Sequence, residues 1–166
     1  KKVKESGIEF AFIRCGYRGY ESGEITADET FDYNMEQALA NGIQVGVYFF
    51  SQAIDVEEAK EEAKFTLECI RKLPVVYDFE KPGGIFARTF SLSKDTVTEN
   101  AVVFGHMVQR RGYTAMIYNS TNLFEKLFNM EYIQEFQTWV AHYNTPYPTY
   151  PYTYRVWQYT DSGTID

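Results

Sequence analysis

The stretch Pro74-Val75-Val76-Tyr77-Asp78-Phe79-Glu80 joins an apolar, β-branched run to two carboxylates at its far end. A short run of this kind is the pattern of a strand covered on both faces, as in parallel sheets flanked by helices. Side chains alternate along a strand, so Asp78 and Glu80 share one face, with Cα atoms roughly 6.5 Å apart at about 3.3 Å rise per residue. Two readings stand at this point. The acids are gathered for chemistry, or they solvate a strand end where the chain turns at Lys81-Pro82-Gly83-Gly84.

Upstream, residues 9–15 (Glu-Phe-Ala-Phe-Ile-Arg-Cys) form another apolar run, bounded by Gly7 and Gly16. Arg14 shares a face with Phe10 and Phe12, and a cation at the end of a buried strand requires a carboxylate partner. It serves either a structural ion pair or the holding of the acids. Residues 17–29 read as a loop. Phe31, Met35, Ala38 and Leu39 then recur at helical spacing, with Asn41-Gly42 as the stop. Residues 43–50 return to a strand, in which Gly46 admits the close approach of a neighbouring ring or backbone. Val56, Ala59, Ala63, Leu67, Ile70 and Leu73 trace a helix with Asp55 as N-cap. Its acids Glu57, Glu58, Glu61 and Glu62 read as a solvated face near the positive end of the dipole.

After a loop over residues 81–94, Val97, Ala101, Phe104 and Val108 mark a third helix, with Asp95 near its start and Gly112 after its basic end. Residues 113–118 are a strand, Asn119-Ser120 open a short helical segment to Phe128, and residues 138–143 are a further strand. Residues 144–154 hold three of the five prolines and read as an ordered lip. Residues 155–159 close with a last strand.

This alternation of strand and helix builds a parallel sheet, open and doubly wound or closed into a barrel. The barrel is favoured, because no glycine-rich phosphate loop follows any strand and polar or aromatic groups recur at strand ends, where (β/α) barrels collect their sites. The expected fold is α/β, an irregular TIM-like (β/α) barrel with an incomplete second half and a parallel-strand core, in one domain over residues 1–166.

A net charge of −7 with 16 scattered basic residues argues against nucleic acid, which needs clustered Lys and Arg. No apolar run approaches the ~20 residues of a membrane span. Cys15 and Cys69 show no metal-type spacing and are expected as free thiols, and His106 and His142 lie far apart, so no metal is expected. With two His in the chain, acid–base work falls to carboxylates. Fourteen Tyr and 13 Phe raise the aromatic fraction to 17%, the composition of a ring-lined cleft or of an aromatic core.

The succession Phe12-Ile13-Arg14-Cys15-Gly16-Tyr17, Asp28…Phe31…Asn34…Ala38…Gly42-Ile43…Gly46-Val47-Tyr48, Asp78-Phe79-Glu80, Tyr118-Asn119, Trp139-Val140-Ala141-His142-Tyr143 and Trp157-Gln158-Tyr159-Thr160 resembles glycoside hydrolase family 25, the muramidases of bacterial peptidoglycan. The resemblance implies hydrolysis of the β-1,4 bond between N-acetylmuramic acid and N-acetylglucosamine without metal or organic cofactor. It makes Glu80 the proton donor and Asp78 its partner. It also implies a monomer acting on peptidoglycan, secreted or associated with the cell wall. Family members begin with a strand ending in Asp-x-Ser and carry another acid after the Trp-Gln-Tyr segment. Both are expected to lie outside this stretch, and Asp166 is not identified with the second.

The chemistry asks for such a pair on its own account. Glycoside cleavage needs one protonated acid at the leaving oxygen and one ionised group near the oxocarbenium-like centre, and neighbouring carboxylates push their pKa values apart. A 2-acetamido group on the substrate can serve as internal nucleophile, giving a retaining route, with inversion the other possibility. Arg14, Tyr48, Tyr118, Asn119, Trp139, Tyr143, Gln158 and Tyr159 are the candidate substrate contacts, while Trp157 reads as packing. A sugar-binding module that does not cut, and another N-acetylhexosamine-directed hydrolase, are the alternative functions.

Overall fold

The computed structural model describes residues 1–70, 73–81 and 85–165. Its strands are β1 (Phe10–Arg18), β2 (Ile25–Ala27), β3 (Gln44–Ser51), β4 (Val75–Phe79), β5 (Ala115–Ser120), β6 (Gln137–Ala141) and β7 (Val156–Gln158). They form one sheet in the order β2-β1-β3-β4-β5-β6-β7, parallel throughout except for the antiparallel β1–β2 pair. The helices are α1 (Lys2–Glu5), α2 (Phe31–Ala40), α3 (Val56–Cys69), α4 (Lys94–Arg110), α5 (Thr121–Leu127) and α6 (Met130–Ile133).

The sheet is curled into a half-barrel. Phe12 of β1 and Trp139 of β6 are four strand spacings apart, which at about 4.8 Å each would be roughly 19 Å in a flat sheet. Their rings nevertheless stack with centroids 4.8 Å apart. Gly46 of β3 permits this, since a Cβ there would lie 2.4 Å from the Phe12 ring. β2 pairs with β1 only at Gly16, Tyr17 and Arg18. Among the described residues, no strand bridges the lower half of β1 to β7.

The convex face carries the core. Val75, Tyr77 and Phe79 of β4 are buried there, as are Val97, Ala101, Phe104 and Val108, the stripe that helical spacing predicts for α4. The rings of Tyr77 and Phe104 meet at 5.0 Å. Each fully buried side chain of this size contributes about 1.5–3 kcal/mol. Asp55 caps α3 as expected, accepting from the Glu58 backbone N–H at 2.9 Å, and Ser93 caps α4, accepting from Thr96 N–H at 3.1 Å.

Several expectations are corrected. The segment expected as a loop over residues 17–29 contains the top of β1 and the whole of β2. The two strands form a ribbon, because a register shift between Arg14 and Gly16 makes Cys15 a bulge and lets β1 run on to Arg18. Helix α3 ends at Cys69, and Ile70 is already extended. Leu39, counted in the α2 stripe, is 57% exposed. Asn119 and Ser120 end β5 instead of opening the helix after it, and β4 stops one residue before Glu80. The acidic face of α3 is not wholly solvated. Glu62 is fully buried, because Arg18 reaches it from β1 at 2.8 Å. Arg71, Lys72, the expected turn at Pro82-Gly83-Gly84, and Asp166 lie outside the described residues.

Candidate active site

Register and alternation decide which side chains line the concave face. Asp78 stands opposite Phe50 on β3 and Tyr118 on β5, and Tyr118 stands opposite Trp139 on β6. One level below, Arg14, Tyr48 and Val76 are in register across β1, β3 and β4. Glu80 follows two residues after Asp78 and stands at the rim, open to solvent on part of its surface and partly covered. Trp139 packs edge-on against Tyr118 at 4.7 Å and stacks on Phe12, forming a wall of three rings. Gln158 of β7 donates from Nε2 to the Tyr143 hydroxyl at 2.7 Å, and that phenol neighbours Tyr118.

The electrostatics of this face are those of acids kept from their ordinary partners. Asp78 is 7% exposed, and neither of its oxygens accepts a hydrogen bond from a described residue. Burial pushes its carboxyl well above the usual range, the negative charge of Glu80 adds to the rise, and Arg14 opposes it. Burial also raises Glu80. Tyr48 and Tyr118 are raised first by burial, and both feel the charges of Asp78 and Glu80. The indole Nε1 of Trp139 is a second buried polar atom without a partner among the described residues.

Arg14 finds its carboxylate in Asp28, with Nε donating to Oδ2 at 2.8 Å, and not in the Asp78–Glu80 pair. Asp28 also accepts from the Thr30 hydroxyl at 2.7 Å and the Thr30 backbone N–H at 3.0 Å. These bonds, with Arg14, hold its carboxyl below the ordinary value. A cavity of about 490 Å³ runs along β1 between Phe12, Arg14, Asp28, Asn34 and Tyr48. It shares Arg14 and Tyr48 with the surroundings of the acids but does not include the acids themselves.

The fold thus brings Arg14, Tyr48, Asp78, Glu80, Tyr118, Trp139, Tyr143 and Gln158 to one face. Asn119 and Tyr159 stand apart. Asn119 alternates to the convex side, is 1% exposed, and commits its amide to the Phe79 carbonyl at 2.8 Å and the Ser120 N–H at 2.8 Å. Tyr159 lies two residues beyond Trp157, packs edge-on against that ring at 5.9 Å, and is otherwise open to solvent. Trp157 donates from Nε1 to the His142 carbonyl at 2.9 Å, a packing role. Asp28 and Phe12 belong to the succession that carries the family resemblance but are not among the candidate substrate contacts. The demand of Arg14 for a carboxylate was the signal for the first, and its shared face with Arg14 the signal for the second. Among the described residues, no group of three or more His, Cys, Asp or Glu side chains is arranged to hold a metal ion.

Comparison with known proteins shows the family and the fold. The chain is 24% identical over 169 residues to an autolytic lysozyme of Clostridium acetobutylicum, covering 99% of this chain and 47% of that protein. It is 27% identical to the uncharacterized protein YegX of Escherichia coli, over 99% of this chain and 58% of the relative, so it spans about half the length of the curated relatives it matches. Among solved structures it superposes on the modular autolysin LytC of Streptococcus pneumoniae with a TM-score of 0.82 at 26% identity, covering 99% of this chain and 39% of that one. A bacterial lysozyme from Streptomyces coelicolor shares the fold with a TM-score of 0.81 at 24% identity, over 99% and 78% of the two chains. The family model described as Glycosyl hydrolases family 25 matches residues 1–166, and the chain belongs to that family.

Proposed function

We propose that this chain forms the catalytic part of a peptidoglycan hydrolase that cleaves the β-1,4 bond between N-acetylmuramic acid and N-acetylglucosamine, with Glu80 as proton donor and Asp78 assisting. The observation that carries this reading is the buried Oδ1 of Asp78, left without a hydrogen-bond donor among the described residues on a ring-lined face beside Glu80. A buried carboxylate oxygen in that condition costs free energy unless a ligand supplies the donor. Membership of the family supports the reading, as does the likeness in fold to LytC, solved in complex with a synthetic peptidoglycan ligand (TM-score 0.80, 24% identity).

The chemistry follows from the two raised acids. Each carboxylate opposes ionisation of the other, so the pair retains a proton at pH values where isolated acids would have lost theirs. An acetamido N–H arriving at Asp78 favours its charged form and leaves the proton on Glu80. Glu80 passes it to the glycosidic oxygen as the C1–O bond breaks. The acetamido carbonyl oxygen closes on C1, and Asp78 offsets the positive charge of the resulting oxazolinium ring. Glu80, now ionised, takes a proton from the water that reopens this ring, and the configuration at C1 is retained. No metal or organic cofactor enters the route.

Trp139, Tyr118 and Tyr48 supply flat faces for sugar rings, and Arg14, Tyr143 and Gln158 supply hydrogen bonds. The substrate is a wall polymer, so the protein acts secreted or attached to the wall, as a monomer. No described helix is long and apolar enough to cross a membrane. The test is release of reducing ends from purified peptidoglycan by the full-length protein, with the product anomer followed by proton NMR. The wild type gives the β-anomer first, and Glu80→Gln lowers the rate by about 10²–10⁴-fold with an unchanged melting temperature. Wild-type rates in Glu80→Gln would remove the assignment.

A further inference from the structure

The β-ladders that hold β4 stop short of Glu80. Their last rungs pair Ser51 with Phe79 on one side and Asp78 with Tyr118 on the other. Beyond those rungs, two carboxamides take over. Asn119, from β5, donates from Nδ2 to the Phe79 carbonyl at 2.8 Å, and Gln52, just past β3, donates from Nε2 to the Glu80 carbonyl at 3.0 Å. Both residues are buried, Gln52 completely.

The Phe79 and Glu80 carbonyls belong to the two peptide planes on either side of the Glu80 Cα. Peptide planes are rigid, so fixing both fixes φ and ψ between them and with these the direction of the Cα–Cβ bond. The carboxamides are themselves locked. Gln52 also donates from Nε2 to the Ser51 carbonyl at 2.7 Å, and its Oε1 accepts from the Thr89 hydroxyl at 2.9 Å. Asn119 Oδ1 accepts from the Ser120 N–H at 2.8 Å. We propose that Gln52 and Asn119 are positioning residues, one from each strand flanking β4, that aim the Glu80 carboxyl at the bond to be cleaved, with Thr89 holding Gln52 in its working orientation. The inference rests on Glu80 being the proton donor.

A misplacement near 1 Å at a reacting group costs up to about 10²-fold in rate. The experiment measures peptidoglycan cleavage by full-length Gln52→Met, Asn119→Leu, Thr89→Val and Thr89→Ser proteins, with kcat and KM separated, the pH–rate profile recorded, and the Glu80 carboxyl titrated by carbon-13 NMR. Asp78, Tyr48 and Tyr118, the titratable groups that feel that carboxyl, are the same in all four. Thr89→Val is the variant least exposed to folding failure, since it keeps the side-chain shape and removes one hydroxyl.

The expected result is a fall in kcat of about tenfold or more in the first three variants, with KM little changed. The basic limb of the profile moves to lower pH as Glu80 turns outward and loses the burial that raises it. Thr89→Ser recovers most of the loss. Lowered melting temperatures with kcat, basic limb and Glu80 titration all as in the wild type would mean that the carboxamides serve the fold alone, and would overturn the proposal. An inactive wild type, or a fully active Glu80→Gln, would instead remove the assignment of Glu80 and this inference with it.

Discussion

Glu62 of α3 and Asp78 of β4 are both buried carboxylates, one behind the sheet and one in front of it. Behind the sheet, Glu62 Oε1 accepts from Arg18 Nε at 2.8 Å and from the Gln52 N–H at 3.3 Å. Arg18 is shared with Glu61 at 3.0 Å, and Arg88 grips Glu58 with two bonds of 2.7 Å. Burial still pushes Glu62 up to about 7 against the pull of Arg18, which shows how strongly that interior resists charge. In front, no cation among the described residues contacts Asp78. Arg14 could have served it but is bonded to Asp28. Each acid keeps one buried oxygen without a donor among the described residues, Oε2 of Glu62 and Oδ1 of Asp78, so the difference lies in the cation: the structural acid is held by Arg18, and the acid facing the cleft is left for an incoming ligand.

The strongest way to break this contrast is to take the cation from behind the sheet. Arg18→Met leaves Glu62 buried and unpaired, and is expected to lower unfolding stability by about 3–5 kcal/mol, read from urea melts at pH 7. A loss under 1 kcal/mol would mean that the network contributes nothing of note. In front of the sheet the sign reverses. Asp78 has a raised folded pKa, so its contribution to stability is complete below the ordinary carboxylate value and is lost as pH rises through the raised one. Asp78→Asn removes that loss. The variant should be more stable than the wild type by about 1–3 kcal/mol at neutral pH, the gain should vanish as pH falls towards about 4, and peptidoglycan cleavage should fall.

The smallest effect is expected at the Arg14–Asp28 pair, where Arg14 is 43% exposed. Asp28 has a lowered pKa, so its stabilisation is present above the ordinary value and disappears as pH falls through the lowered one. Arg14→Gln should cost at most about 0.5–1 kcal/mol at pH 7, with the difference from wild type shrinking below pH 4 and in high salt. A larger cost would place Arg14 among the structural cations with Arg18.

What could be read from the sequence was whatever depends on local pattern. The apolar runs of β3 and β4 and the stripe of α4 are periodic and were legible, and the concave position of Asp78, Tyr118 and Trp139 follows from counting by twos along each strand. What escaped depends on contacts distant in sequence. Glu62 looks like any helix-face acid until Arg18, 44 residues away, is seen to reach it. Asn119 sits beside Tyr118, yet alternation sends the two to opposite faces, and only the observed end of β5 at Ser120 settles which is which. Asp28 lay in a stretch without strand or helix periodicity, so nothing local joined it to Arg14.

The bulge at Cys15 works as a change of phase. In strict alternation residues 14 and 18 would point the same way. Because Arg14 pairs with Tyr48 and Gly16, not Cys15, pairs with Phe49, the later residues of β1 are displaced by one step. Arg14 therefore faces the cleft, while Arg18 turns back towards the glutamates of α3. The bulge lets a single strand deliver cations to two separate electrostatic systems, because the same residues with Cys15 in regular register would turn both guanidinium groups into the cleft and take Arg18 away from Glu62.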